Sequence, residues 1–213
     1  DLMIKINNLT KKYKDKLAVD NLNLEIKTGE LFSLLGTNGA GKTTTIKMLS
    51  TLILPTSGEV EINNLDLVKD SSKIKEIINI SPQETAVASN LTVLENLYFM
   101  AGIYQIPNKE DKIKELIKLF KLEEVLKQKA RTLSGGYQRK LSIAISLIND
   151  PKILFLDEPT LGLDVISRHD LWKVIEALKG KTTIILTTHY MEEAEVLSDR
   201  IGIMNKGKLI ELG

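Results

Sequence analysis

Residues 31–52 read LFSLLGTNGAGKTTTIKMLSTL. The uncharged run LFSLL at 31–35 fits a short strand buried on both faces. Glycines end that strand, and KTTTIKMLSTL reads as a helix closed by Pro55 and the turn PTSGE. Between them, Gly36, Gly41, Lys42 and Thr43 satisfy G-x-x-x-x-G-K-[ST]. Such a loop turns backbone N–H groups inward, and the helix N-terminus adds its positive dipole, so the unit cradles an anion. Gly36, Asn38, Gly39, Gly41, Lys42, Thr43 and Thr44 are the candidate phosphate contacts. Lys42 would bridge β- and γ-phosphates, and Thr43 would offer its hydroxyl to Mg²⁺. The plainer alternative is a glycine-rich turn with an ordinary lysine. A random chain of this length matches the pattern about once in a hundred, and the strand–helix setting lowers that further.

The flanking sequence extends the pattern. Before the loop, LMIKINNL and LAVDNLNLEI alternate apolar and polar residues as half-buried strands do, with a turn at KTGE. After it come a strand at GEVEIN (58–63) and, over residues 76–82, a short helix end and the strand IINIS. Past Gln83 the period changes. TVLENLYFMAGIY is helical, and Ile113, Leu116, Ile117 and Phe120 form one apolar stripe at helical spacing. A third helix starts at LSGG and ends near 149–151. Alternation then returns with the strand KILFLD, the helix SRHDLWKVIEALK, the strand TTIILTTH and the helix MEEAEVLS. RIGIM and KLIEL close the chain as a hairpin around NKG. A helical insert inside strand–helix alternation predicts an α/β fold. Its mostly parallel nucleotide-binding core spans 1–83 and 151–213, with an antiparallel β subdomain at the N-terminus and an α-helical subdomain at about 84–150.

KILFLDEPT places Asp157 and Glu158 at the carboxyl end of a buried strand, where the ligand lies in parallel sheets. Asp157 would hold Mg²⁺ through its waters, and Glu158 would orient and deprotonate an attacking water. Taken alone, DEP is a common surface turn; the loop upstream favours the functional reading. A second anion-facing helix start, TLSGGYQRKL at 132–141, raises the question of what it binds, since the first loop already serves one phosphate chain.

Composition narrows the class. The 213 residues are 43% hydrophobic and 27% charged, as in ordinary globular chains. Lys+Arg number 29 and Asp+Glu 28, so no basic excess points to nucleic acid. There is no cysteine, which rules out disulfides and thiolate metal sites. No apolar run approaches the ~18 residues of a membrane span.

In order, GTNGAGKTT, SPQ, LSGGYQRK, ILFLDEP, LGLD and TTH resemble the motifs of the ATPase subunit of an ATP-binding cassette (ABC) transporter, over essentially the whole chain. The resemblance implies a P-loop NTPase core, ATP and Mg²⁺ as cofactors, and ATP hydrolysis. It implies adenine stacking by Tyr13, and a contact of Gln83 with the Mg²⁺ and water region. Ser134, Gly135 and Gly136 would contact phosphate, Asp164 would line a dimer interface, and His189 would bond the γ-phosphate. Tyr137 departs from the family's glutamine. It further implies two cassettes paired head to tail, so the second helix start serves the neighbour's ATP. The expected partners are a second ATPase subunit and a transmembrane permease, with no nucleic acid. The expected place is the cytoplasmic face of the membrane, held through the permease.

NLTVLENLYFMAGIY, PTLGLD and TTHYMEEAEVLSDRIGIMNKGKLI look most like the drug-resistance and antibiotic-export branch, which is also related to eukaryotic lipid exporters. Within transport the alternative is an importer ATPase; outside it the alternatives are a soluble ABC ATPase of translation or DNA repair, and a regulatory module without turnover. The former are expected to show two cassettes or a coiled-coil insert; the latter would not need Glu158. Among the quieter residues, His169 is expected on a solvated face, and Trp172 and Phe120 in packing. YMEEAEVLSD is expected to be a solvated helix with its acids favouring the N-terminal turn.

Overall fold

The computed structural model describes residues 1–213. Strands β1 (Leu2–Tyr13) and β2 (Lys16–Lys27) pair antiparallel, and with β4 (Ser57–Ile62) and β5 (Leu65–Asp66) form a sheet of order β2-β1-β4-β5. The second sheet contains β3 (Leu31–Leu35), β6 (Ile78–Ser81), β7 (Ile153–Asp157), β8 (Thr183–Thr188), β9 (Arg200–Asn205) and β10 (Lys208–Leu212), in the order β10-β9-β3-β8-β7-β6. Its pairings are parallel except for the terminal β9–β10 hairpin. The helices are α1 (Lys42–Leu49), α2 (Ser71–Ile77), α3 (Val93–Ile103), α4 (Lys109–Phe120), α5 (Gly135–Ser146), α6 (Val165–Leu178) and α7 (Met191–Leu197).

Every residue of β3, β7 and β8 is buried, because helices or strands cover both faces of the parallel sheet. Alternate side chains therefore enter different cores. Leu154 and Leu156 join the cluster built from α3 to α6, whereas Ile153 and Phe155 join α1 and the antiparallel sheet. The stripe on α4 works as expected: Ile113, Leu116 and Phe120 are buried. Phe120 and Trp172 are core residues of the helical cluster, and His169 is exposed with its ring stacked on Trp172.

Helix ends are set by local chemistry. Thr92 and Glu95 form a capping box at α3: Glu95 N donates to Thr92 Oγ1 at 3.1 Å and Thr92 N to Glu95 Oε1 at 2.9 Å. Helix α6 starts two residues earlier than SRHDLW suggests, because Asp164 accepts the Ser167 amide at 2.8 Å. Helix α1 stops at Leu49, short of the expected Ser50–Leu52, where Ser50 Oγ donates back to the Ile46 carbonyl and Thr51 turns to φ 67°.

The expectation for YMEEAEVLSD is corrected. Helix α7 packs on the body of the molecule, with Glu193, Ala194 and Leu197 fully buried. Glu193 Oε2 accepts from Trp172 Nε1 at 2.8 Å and from Thr160 Oγ1. A carboxylate can enter a core when such donors meet it, and a residue count along the helix carries no information about them.

One ion pair ties the start of β3 to β9. Arg200 Nε donates to Glu30 Oε2 at 2.6 Å and Nη2 to Oε1 at 2.9 Å. Burial by itself raises the Glu30 pKa. The bonds from Arg200 and the Lys27 amide, with the Arg200 charge, outweigh it and hold the carboxyl below its ordinary 4.5. A depressed folded pKa contributes stability that is fully present above 4.5 and is lost as pH falls through the lower folded value. Thermal melts from pH 7 down to pH 3 should therefore fall more steeply for the wild type than for Arg200→Met. Parallel curves would show that the pair does not contribute.

Candidate active site

The register of the parallel sheet assembles the site. Leu35 lies opposite Thr188, and Asp157 opposite Thr187, so the carboxyl ends of β3, β7 and β8 finish side by side. The loop 36–44, the pair Asp157–Glu158 and His189 thus share one rim, as carboxyl ends do in open parallel sheets. Gly41 sits at φ 103°, and a Cβ there would stand 2.7 Å from the Ala18 carbonyl oxygen. A Cβ on Gly36 would meet the Met204 carbonyl oxygen at 2.6 Å. Both positions accept only glycine without a backbone shift.

A cavity of about 500 Å³ opens over this rim. Asn38, Gly39, Gly41, Lys42, Thr43 and Thr44 line it from the loop, Gln83 and Glu158 from the sheet side, and Lys16, Leu17 and Ala18 from the β1–β2 hairpin. Lys42 Nζ donates to Glu158 Oε1 at 2.7 Å and to the Gly36 carbonyl. Both side chains of this pair are only 5% exposed. His189 Nδ1 lies 2.9 Å from Glu158 Oε2, leaving Nε2 without a partner in the chain. Thr43 Oγ1 is 3.2 Å from Asp157 Oδ2, and Thr187 Oγ1 donates to Asp157 Oδ1 at 2.5 Å.

Glu158 adopts φ 49°, a left-handed conformation that is strained for a residue with a Cβ. Its amide donates to the Thr187 carbonyl at 3.1 Å and lies 3.0 Å from Thr187 Oγ1, which pins the strained backbone. A carboxylate at a strand tip, gripped by a lysine and a histidine, is aimed rather than merely present. Hard oxygens from Thr43 and Asp157, beside the glycine loop, fit the donor set that Mg²⁺ takes together with phosphate and water. No group of three His, Cys, Asp or Glu side chains is placed to cage a metal alone.

The remaining predicted residues lie elsewhere. Ser134 and Gly135 are exposed at the start of α5 and do not line the cavity. Ser134 Oγ accepts the Tyr137 amide at 3.3 Å, so Tyr137 serves the cap through its backbone, while its ring packs against the helical core under Lys140. Asp164 is exposed at the cap of α6, where the Ser167 amide holds its carboxyl below the usual range. Tyr13 is 46% exposed at the end of β1 and does not line the cavity; Lys11 stands over its ring. Reading motifs did not find Thr187, Thr160 and Glu193, or Arg139. Thr187 and Arg139 lie within TTH and LSGGYQRK, but only their packing shows a task.

A family model described as ABC transporter matches residues 19–161. The chain belongs to that family. It is an ABC ATPase domain, and its relatives agree along nearly its full length. Human "Phospholipid-transporting ATPase ABCA3" is 44% identical over 212 residues, covering 97% of this chain. The "Linearmycin resistance ATP-binding protein LnrL" of Bacillus subtilis is 40% identical over 214 residues, covering 99% of this chain. The chain spans 12% of the human relative's length and 69% of LnrL. Among solved structures, a dimeric post-hydrolysis state of the ATP-binding cassette MJ0796 bound to ADP and Pi superposes with a TM-score of 0.88 at 30% identity. That match covers 99% of this chain and 98% of the other. The ABC cassette therefore accounts for both sheets and the helices between them.

Proposed function

We propose that this cassette powers transport across a membrane by hydrolysing ATP in a site that a second cassette completes. The observation carrying the reading is a separation. Lys42, Thr43 and Glu158 share one cavity, whereas Ser134 and Gly135 are exposed and outside it. In this reading the loop 36–44 of one chain cradles the triphosphate, and Ser134, Gly135 and Gly136 of a head-to-tail mate cap it. Asp164 lines the seam. Charge-assisted hydrogen bonds contribute about 1.5–3 kcal/mol each, so several to a γ-phosphate decide whether two chains hold together. The dimeric ADP- and Pi-bound cassette supports that pairing.

Within one chain, Lys42 exchanges its contact with Glu158 for the β- and γ-phosphates. Glu158 is then free to take a proton from the attacking water. His189 keeps Nδ1 on Glu158 and turns Nε2 to the γ-phosphate, joining the base and the phosphate through one ring. Gln83 reaches the water region from the cavity wall. Thr43, Asp157 and Gln83 would hold Mg²⁺, whose charge neutralises phosphate oxygens. Tyr13 pairs across the hairpin with Lys16 on the cavity rim; adenine emerging at that rim would stack on the tyrosine face.

The relatives' names support export: one transports phospholipid and one confers linearmycin resistance. No helix here is long and apolar enough to cross a membrane. The expected partners are a transmembrane permease and a second ATPase, identical or not, with the cassette on the cytoplasmic face. Light scattering with saturating Mg-ATP should report a dimer, and phosphate release should rise faster than linearly with chain concentration. Full turnover by a monomer would overturn the split site.

A further inference from the structure

Arg139 lies just over one turn from Ser134, in the first half of the helix α5 whose tip would cap the mate's ATP. It is 5% exposed, a burial that an arginine tolerates only when it is bonded. Its Nη1 donates to the Pro82 carbonyl at 2.8 Å and its Nη2 to the Gln83 carbonyl at 2.5 Å. Its Nε is buried with no partner at all. No other hydrogen bond reaches residues 82–85. One turn further along α5, Ser142 Oγ meets Ser81 Oγ at 3.3 Å and the Ala86 amide at 3.4 Å. Helix α5 therefore holds both ends of the irregular segment after β6, and Arg139 alone holds its middle.

The chemistry suits positioning better than filling. A planar guanidinium offers parallel donors in a rigid fork and can span two consecutive carbonyls, which a lysine cannot. An apolar side chain would fill the same space without an orphaned Nε. Gln83 itself faces the cavity over Lys42 and Glu158. A helix is stiff, so a displacement of its Ser134 end carries Arg139 with it, and Arg139 carries the Gln83 backbone. We propose that Arg139 is a positioning residue that makes the placement of Gln83 in one nucleotide site depend on the capping of the other site by Ser134. The proposal deepens, and rests on, the split-site reading above. It gives the two sites of a dimer a mechanical route by which each senses whether the other is loaded.

The test compares Arg139→Met, Arg139→Lys, Gln83→Ala and the double variant Arg139→Met/Gln83→Ala in the purified chain. Steady-state phosphate release against ATP gives kcat, KM and the Hill coefficient, and a fluorescent ATP analogue reports binding. Arg139→Met is expected to lower kcat between roughly tenfold and a hundredfold, the scale of a misplaced reacting group. KM should change by less than about twofold, since ground-state binding is untouched. The Hill coefficient should fall toward 1. Arg139→Lys keeps the charge but not the fork, and should lie between; it carries the comparison if the Met variant does not fold. The double variant should be no slower than the slower single variant, because both act through one group. Wild-type kcat and cooperativity in the Arg139 variants, or losses that simply add in the double, would overturn the proposal. Wild-type kcat in Gln83→Ala would instead remove the role given to Gln83, and the Arg139 proposal with it. A slow Gln83→Ala beside a fast Arg139→Met sinks the Arg139 proposal alone.

Discussion

Glu158→Gln should bind ATP at least as tightly as the wild type yet hydrolyse it on the order of 10²–10⁴-fold more slowly. The amide keeps the size of the carboxylate and can still accept from Lys42 Nζ, so the local packing survives. What disappears is the proton acceptor. Lys42 also loses its counter-charge at 2.7 Å, so phosphate oxygens meet a lysine with no anionic competitor. With binding intact and cleavage slow, two chains should accumulate as an ATP-dependent dimer. Light scattering and single-turnover phosphate release read the two effects separately. A variant that turns over at wild-type speed would remove Glu158 from the role of base.

Lys42→Ala should weaken ATP binding by roughly ten- to a hundredfold, the loss of one charge-assisted hydrogen bond. Its kcat should fall by roughly 10²–10³, the usual consequence of removing a donor that stabilises developing charge. The same change strands Glu158. Its side chain is 5% exposed and would keep only His189 as a charged or polar side-chain neighbour. Deleting one member of a buried pair destabilises by about 3–5 kcal/mol when no other partner compensates. Urea unfolding of the nucleotide-free variant should therefore show a clear loss of stability, and a smaller loss in the double variant Lys42→Ala/Glu158→Gln, where no buried charge is stranded. Unchanged phosphate release by Lys42→Ala would exclude Lys42 from the chemistry, whatever happens to stability.

These two residues show how differently a site can be read. Lys42 and Glu158 are 116 positions apart, and each was found from its own short neighbourhood: a glycine loop between strand and helix, and a carboxylate ending an apolar run. Their direct contact had no such signature. It follows from strand order, because β8 separates β3 from β7 and the three ends share one rim. The same holds for Thr187, whose hydroxyl fixes Asp157 and whose carbonyl pins the Glu158 amide. A threonine in an apolar strand looks like any other β-branched residue until its neighbour in the sheet is known.

Helix α7 makes the opposite point. Its acidic run MEEAEVL matches a solvated helix with charges at its N-terminus, and Glu192 is indeed exposed. Glu193 is not, because Trp172 and Thr160 arrive from α6 and from the turn after Glu158 to satisfy it. Local charge predicts solvation only when nothing distant supplies donors.

The chain's order of residues alone determined that a glycine loop follows a buried strand, that a carboxylate pair ends another, and that a helical insert interrupts an α/β alternation. These are local properties, set by backbone freedom at glycine and by burial periodicity, and a linear string carries them in full. Tertiary structure alone decided which of those ends meet, that Lys42 and Glu158 hold one another, that Ser134 lies outside its own cavity, and that Arg139 grips the Gln83 loop. Those contacts join residues tens of positions apart, and only the closed chain brings their atoms within bonding distance.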